Sequence, residues 1–322
     1  MKAAIITHYG DPEKVVSIQE VDKPIPQESQ VLIRVHAATI NDYDWSLVTG
    51  KPYLYRLLFG VFKPRLRPGM EVSGIVESVG REVQHFKAGD AVYGDTSEGG
   101  FGTMAEYVAI HEKALVKKPS ELSHLEAVCF PHASILALQG LRDSGKMQAG
   151  QNILINGGGG GVGSFALQLA KLQGCEVTGV DNASKLEAMK NWGYDAVIDY
   201  KKTNFTQASI QYDLILDCKS SLSPFSYLKA LKPEGKYISV GGKVSVLLSL
   251  LFWGVIFRPF TKKRLQILAL KPNKGLDYIN KLVSENKLKA TVDGPYKLEE
   301  LPRLINYFGT GKHQGKIVVE LV

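Results

Sequence analysis

Asn152-Ile-Leu-Ile-Asn-Gly-Gly-Gly-Gly-Gly-Val-Gly163 decides how this chain folds. Ile153–Ile155 is a short apolar run bounded by turn residues, which predicts a buried strand. Gly158, Gly160 and Gly163 then fall at G-x-G-x-x-G spacing, and helical periodicity follows from about Gly163 to Gln173. A strand, a glycine turn and a helix in that order form a cradle for an anion. The turn is tight, the backbone must come close to a pyrophosphate, and the helix must pack on the strand. The bare N–H groups of the turn and helix start, Gly161 and Val162 included, hold the phosphates together with the helix dipole. The bland alternative is a flexible glycine-rich loop, and the periodic flanks argue against it.

Downstream, the same alternation repeats. A strand over Glu176–Val180 precedes a helix over Lys185–Trp192. Ala196–Ile198, Leu214–Leu216 and Tyr237–Val240 continue the strand series. Repeated βα units predict a parallel, doubly wound sheet. Upstream, the first third reads as β. Val31–Val35, Val72–Val79 and Ala91–Tyr93 are short runs separated by turn residues, a pattern that predicts a small barrel-like domain. Leu122–Ser144 has helical spacing. Past Lys271, helices are expected over Gly275–Glu285 and Glu299–Tyr307. The final run Gly315–Leu321 is strand-like and suited to pair back with the N-terminal domain. The expected division is therefore residues 1–122 with 272–322, enclosing a nucleotide-binding domain over 123–271.

Two signals bear on the nucleotide. Asp181 ends the second strand, where an acid hydrogen-bonds the adenine ribose and repels a 2′-phosphate, favouring NAD. Ser184 and Lys185 follow directly, and Tyr200 ends the next strand. Lys185 would pair with a 2′-phosphate and Tyr200 would flank it, favouring NADP; the bland reading of Lys185 is a solvated helix lysine. The expectation is NADP(H) or NAD(H), leaning to NADPH.

Bulk properties exclude several classes. The 322 residues suffice for two domains, and 44% hydrophobic with 22% charged residues is ordinary for a globular chain. The net charge of +7 is scattered, with one tight cluster at Lys262-Lys263-Arg264. No nucleic-acid reading module accompanies it, so no nucleic acid is expected as partner. Cys129, Cys175 and Cys218 are far apart and show neither a disulfide framework nor a zinc spacing. They suit a reduced, cytoplasmic protein. The opening MKAAIITHYG lacks the apolar core of a signal peptide. The most apolar stretch, Val244–Phe257, is too short to span a bilayer. It reads as a buried helix or a lid at an interface, or alternatively as a patch that touches membrane.

Across essentially its whole length the chain resembles the medium-chain dehydrogenase/reductase superfamily. The resemblance rests on the NGGGGGVG loop, the Ala88-Gly-Asp-Ala-Val92 turn and the closing GKIVVEL. Thr39–Trp45, Arg67–Gly74 and Val197–Tyr200 are similar to its zinc-free quinone oxidoreductase branch. The resemblance implies an α/β protein: a GroES-like β-barrel-type domain plus a Rossmann doubly wound parallel sheet. It implies a zinc-independent, NAD(P)H-dependent oxidoreductase that passes hydride to a quinone or other activated alkene or enone. Zinc relatives use Cys, His and Cys as ligands. Here those positions fall at Asn41-Asp42, at Met70 and near Ala133, so no metal is expected. No catalytic residue is assigned. Asn41, Asp44 and Tyr53 are the substrate-cleft candidates, Asn41 also lying near the nicotinamide in relatives. Asp44 reads equally as a helix cap, and Tyr53 as a packed loop aromatic. Val240, Gly241 and Gly242 stand where relatives pass the nicotinamide, or form a plain turn. His132 and Lys316 are further candidates, each with a structural alternative. Relatives pair as homodimers through the edge of the nucleotide-domain sheet. The competing functions are a nonenzymatic cofactor-binding sensor or structural protein and a zinc alcohol dehydrogenase.

Overall fold

The apolar run before the glycines forms the middle of a sheet. The computed structural model describes residues 1–322, the side chain of Leu58 excepted. Strand Asn152–Asn156 buries Ile153, Leu154 and Ile155 completely. It pairs in parallel with Glu176–Asp181 on one side and Tyr212–Asp217 on the other. A strand covered on both faces needs a continuous apolar run rather than alternation. The sheet order from edge to edge is Ala196–Asp199, Glu176–Asp181, Asn152–Asn156, Tyr212–Asp217, Leu231–Ser239, Arg264–Ile267. All neighbours are parallel. The winding direction reverses beside Asn152–Asn156, so the glycine turn leaves the sheet at its switch point. Helix Gly161–Leu172 follows the turn and buries Phe165, Ala166 and Leu169. This unit comprises residues 133–271 and 281–289.

The other unit comprises residues 1–132, 272–280 and 290–322. Its main sheet runs Val292–Lys297, Lys316–Glu320, Gln30–Thr39, Glu71–Val79, Ala91–Asp95, Val116–Lys117, with Tyr107–His111 also on Gln30–Thr39. The terminal strand Lys316–Glu320 pairs antiparallel with the end of Gln30–Thr39. That register brings Lys316 beside residues near position 40. The core of alternate inward residues, such as Val31, Ile33, Val35, Val72 and Val92, follows from the period-two pattern.

Two expectations are corrected. The unit boundary falls after His132 rather than at 122, and residues 281–289 pack with the nucleotide-type unit. The helical spacing of Leu122–Ser144 is realised in three pieces, His124–Ala127, Ala133–Leu138 and a π-helical turn Gln139–Ser144. Pro131 lacks the N–H needed to continue the first of these, and the Gly145 N–H reaches back to Gly140 O. Finally, Val244–Phe257 is a helix with only Leu250 buried, not a buried helix.

Candidate active site

In the parallel-sheet unit, the glycine turn leaves backbone groups where side chains would be. Gly160 caps helix Gly161–Leu172 without a side-chain hydrogen bond. The first-turn amides therefore have no side chain to satisfy them and suit an anion. A Cβ on Gly163 would lie 2.4 Å from the Gly158 carbonyl oxygen, so the helix approaches its own turn too closely for any other residue. Tyr194 locks the turn from beneath. Its buried hydroxyl donates to Gly158 O at 3.1 Å and Gly163 O at 3.0 Å. Burial holds this phenol well above its ordinary pKa.

The two nucleotide selectors meet each other. Asp181 accepts the Gly159 N–H at 3.0 Å, and Lys185 Nζ lies 3.6 Å from the same carboxylate oxygen. Both residues are buried. The solvated-lysine reading of Lys185 is thereby overturned: it ends the turn Ala183–Lys185 with its stem packed over the glycines. Ser184 instead gives its N–H and hydroxyl to Asn182 Oδ1. Tyr200 stands exposed just after strand Ala196–Asp199.

Val240, Gly241 and Gly242 follow strand Leu231–Ser239. Gly242 has φ +151°, and a Cβ there would meet Ser220 O at 2.4 Å. The close approach that this glycine permits is thus to Ser220 of its own chain. Sequence reasoning missed the residues behind it. Asp217 accepts from Asn156 Nδ2 at 2.8 Å, Lys219 N at 2.8 Å and Tyr237 Oη at 2.7 Å. Ser220 joins through Tyr237 and Ser239 at 2.7 Å each. Burial raises the Asp217 pKa despite these donors. The network ties the carboxyl ends of three adjacent strands beside the glycine turn. Its signal was an acid closing an apolar run, Leu214-Ile-Leu-Asp217, as at Asp181.

The second constellation lies in the β unit and is made of side chains. Glu71, fully buried, accepts from Thr39 Oγ1, from Asn41 Nδ2 at 2.9 Å, and from Lys316 Nζ through one oxygen. Its other oxygen accepts the His132 N–H at 2.8 Å. Lys316 also donates to Asn41 Oδ1 at 2.6 Å. His132 Nδ1 lies 2.7 Å from Asp95 Oδ2. Burial raises the Asp95 pKa, but the His132 contact and the Ser97 hydrogen bonds outweigh it and hold the acid low. Asp44 is fully buried, accepting the Gly69 N–H at 2.6 Å and the Asn41 N–H at 2.8 Å. Burial lifts its pKa to about 6 against these bonds. Asp44 thus caps helix Asp42–Thr49 and ties it to the Gly69 turn. Lys316 is no solvated strand residue. Tyr53 is not in this network; it is 69% exposed, under Arg56.

Residues 27–120 match the alcohol dehydrogenase GroES-like domain, and residues 192–319 match a zinc-binding dehydrogenase domain. The 2-methylene-furan-3-one reductase of Solanum lycopersicum is 33% identical, over 99% of this chain and 79% of its own. The chloroplast envelope quinone oxidoreductase homolog of Arabidopsis thaliana is 31% identical over 99% and 98%. The chain belongs to the medium-chain dehydrogenase/reductase superfamily, in its quinone oxidoreductase branch. The quinone oxidoreductase from Coxiella burnetii superposes with a TM-score of 0.88 at 28% identity, covering 100% of this chain and 99% of that one.

Zinc does not fit this medium-chain reductase. The ligand positions carry Asn41, Met70 and Ala133, which cannot form a zinc donor set. Among the described residues no group of three His, Cys, Asp or Glu side chains is placed to hold a metal. Glu71, kept from the zinc pattern, receives the ammonium of Lys316 instead, so the chain itself supplies the cation. Cys129 donates its thiol to Leu125 O and is held well above the ordinary thiol pKa by burial.

Proposed function

We propose that this chain is an NADPH-preferring reductase that delivers hydride to a quinone or another electron-poor alkene without a metal. The uncapped helix start at Gly160–Gly163 carries the reading. A nicotinamide dinucleotide held there by its phosphates would supply the hydride. Gly158, Gly160, Gly161, Val162 and Gly163 cradle the pyrophosphate. Lys185 offsets the charge of Asp181, so a 2′-phosphate meets a cation and not a bare carboxylate. Tyr200 and Ser184 flank that end, and Val240–Gly242 line the path of the nicotinamide.

An already electrophilic acceptor needs no Lewis acid. It takes two electrons and one proton as hydride, and solvent protonates the quinol oxygen. Tyr53, exposed, is free to donate to a carbonyl oxygen as charge develops there. Asn41 and Asp44, whose polar atoms are engaged by their own chain, act as positioning residues. We place the protein in the cytoplasm as a homodimer joined through a free edge of the six-stranded sheet, since unpaired strand edges favour such pairing.

The test follows NADPH and NADH consumption over quinones, alkenals and haloacrylates, with and without a chelator. Chelator-resistant turnover, faster with NADPH, is expected. Nucleotide binding with no turnover on any acceptor would make the chain a binding protein. Stoichiometric zinc whose removal stops turnover would make it a zinc dehydrogenase.

A further inference from the structure

Within the β unit, the polar atoms around Glu71 are spent on one another. Both Glu71 oxygens are filled, Lys316 donates to Glu71 and Asn41, and Asp44 accepts two backbone N–H groups. One ring nitrogen is the exception. His132 directs Nδ1 to Asp95 Oδ2 at 2.7 Å. Its Nε2 has no hydrogen-bond partner among the described residues and is not sealed from solvent, the side chain being 20% exposed.

Two carboxylates fix where that free nitrogen stands. Asp95, fully buried, closes strand Ala91–Asp95, and its Oδ1 accepts the Ser97 N–H at 2.9 Å. Asn273 clamps the Asp95 backbone, taking its N–H and giving Nδ2–H to its carbonyl, each at 2.8 Å. The His132 backbone N–H is held by Glu71 Oε1 at 2.8 Å, while Glu71 Oε2 takes Asn41 Nδ2 at 2.9 Å. Glu71 thus sets His132 beside the substrate-cleft candidate Asn41, and Asp95 orients the ring. A carboxylate accepting from Nδ1 keeps a proton on that nitrogen. Nε2 is left to take up and release the other one.

We infer that His132 is the proton donor to the α-carbon of an enone acceptor, with Asp95 as its positioning residue. This step rests on the reductase reading and names the acceptor class that needs it. The β-carbon of the acceptor gains a C–H bond with the two electrons of hydride, NADPH being oxidised, and the alkene pair moves toward the carbonyl as an enolate. The α-carbon then takes a proton from Nε2, its C–H bond forming as the N–H bond breaks. Asp95 offsets the positive charge of the ring before transfer. The neutral ring regains its proton from solvent at the same nitrogen. Quinol oxygens exchange protons with water freely and need no such donor. An enolate carbon has two faces, and a fixed donor serves one of them.

The wild type would reduce 2-methylcyclohex-2-enone and a quinone with NADPH, with the new α-centre read by chiral chromatography. One enantiomer in large excess is expected. His132→Asn keeps a donor for Asp95 but has no atom in place of Nε2. Its enone kcat should fall about 100-fold with KM nearly unchanged, its product should approach a racemate, and its loss with the quinone should be far smaller. His132→Gln serves as a second variant with the same expectation. Melting and nucleotide titration like the wild type would verify folding. Asp95→Asn should erode the enantiomer excess and lower the enone kcat less than His132→Asn does. A racemic wild-type product, or a His132→Asn variant that keeps both rate and excess, would overturn the proposal. Turnover of quinones but of no enone would overturn it and leave the reductase reading standing. No turnover on any acceptor would overturn both.

Discussion

At the glycine turn the groups offered to a ligand are the backbone amides that open helix Gly161–Leu172, left without a side-chain cap by the run of five glycines from Gly157 to Gly161. In the Glu71 cluster every participating group but one is a side chain, and its partners come from positions 39, 41, 132 and 316. The first place spends no charge and offers the partial positive end of a helix. The second buries a full carboxylate and a full ammonium, which are tolerable only because each completes the other's hydrogen bonds. One is a cradle for a charge brought from outside. The other is a charge balance closed within the chain, and it occupies the neighbourhood where zinc relatives hold their metal.

That contrast is most easily broken at Lys316. Lys316→Met leaves Glu71 buried and unpaired, and should cost about 3–5 kcal/mol in urea unfolding. Adding Glu71→Gln should restore much of it. A single variant that unfolds like wild type would show that the pair is not closed. Asp44 sharpens the comparison through pH. Its folded pKa of about 6 lies above the ordinary 3.8, so folding takes up a proton between those values. Its contribution is fully present below about 3.8 and is lost as pH rises through about 6. The loss amounts to ~3 kcal/mol. Asp44→Asn should flatten this part of the stability profile, and an unchanged pH slope would count against the buried acid.

At the cradle, side chains tune instead of build. Lys185→Ala should weaken NADPH binding by ~1.5–3 kcal/mol more than NADH binding, read by fluorescence titration. Equal losses would leave Asp181 as the selector. Tyr194→Phe removes the hydroxyl from two turn carbonyls and should cost ~1 kcal/mol of stability with a modest loss of nucleotide affinity. A loss as large as that of Lys316→Met would erase the distinction between the two regions.

The strands and helices around the glycine turn were legible because their signals are local. Helix Gly161–Leu172 starts two residues before the expected Gly163, and Leu186–Trp192 one residue after the expected Lys185. Asp181 and Lys185 were both singled out, but their mutual contact was not visible, and without it they looked like rival votes on the cofactor. Asp217 closes an apolar run as Asp181 does, but what it binds became visible only with Asn156, Tyr237 and Ser220 seen around it. The exposed face of Val244–Phe257 was misjudged because periodicity cannot tell a buried apolar helix from one covered on a single side.

The sequence by itself determined the alternating strands and helices, the glycine turn between a strand and a helix, and the loss of the zinc ligands. Those depend on residues close together in the chain and on which side chains are absent. Only the tertiary structure decided that Lys316 neutralises Glu71, 245 residues away. It also decided that Lys185 neutralises Asp181 and that one apolar helix is covered by its own chain on a single side. The physical reason is that burial and pairing set the cost of a charge, and both are properties of the folded neighbourhood rather than of the residue.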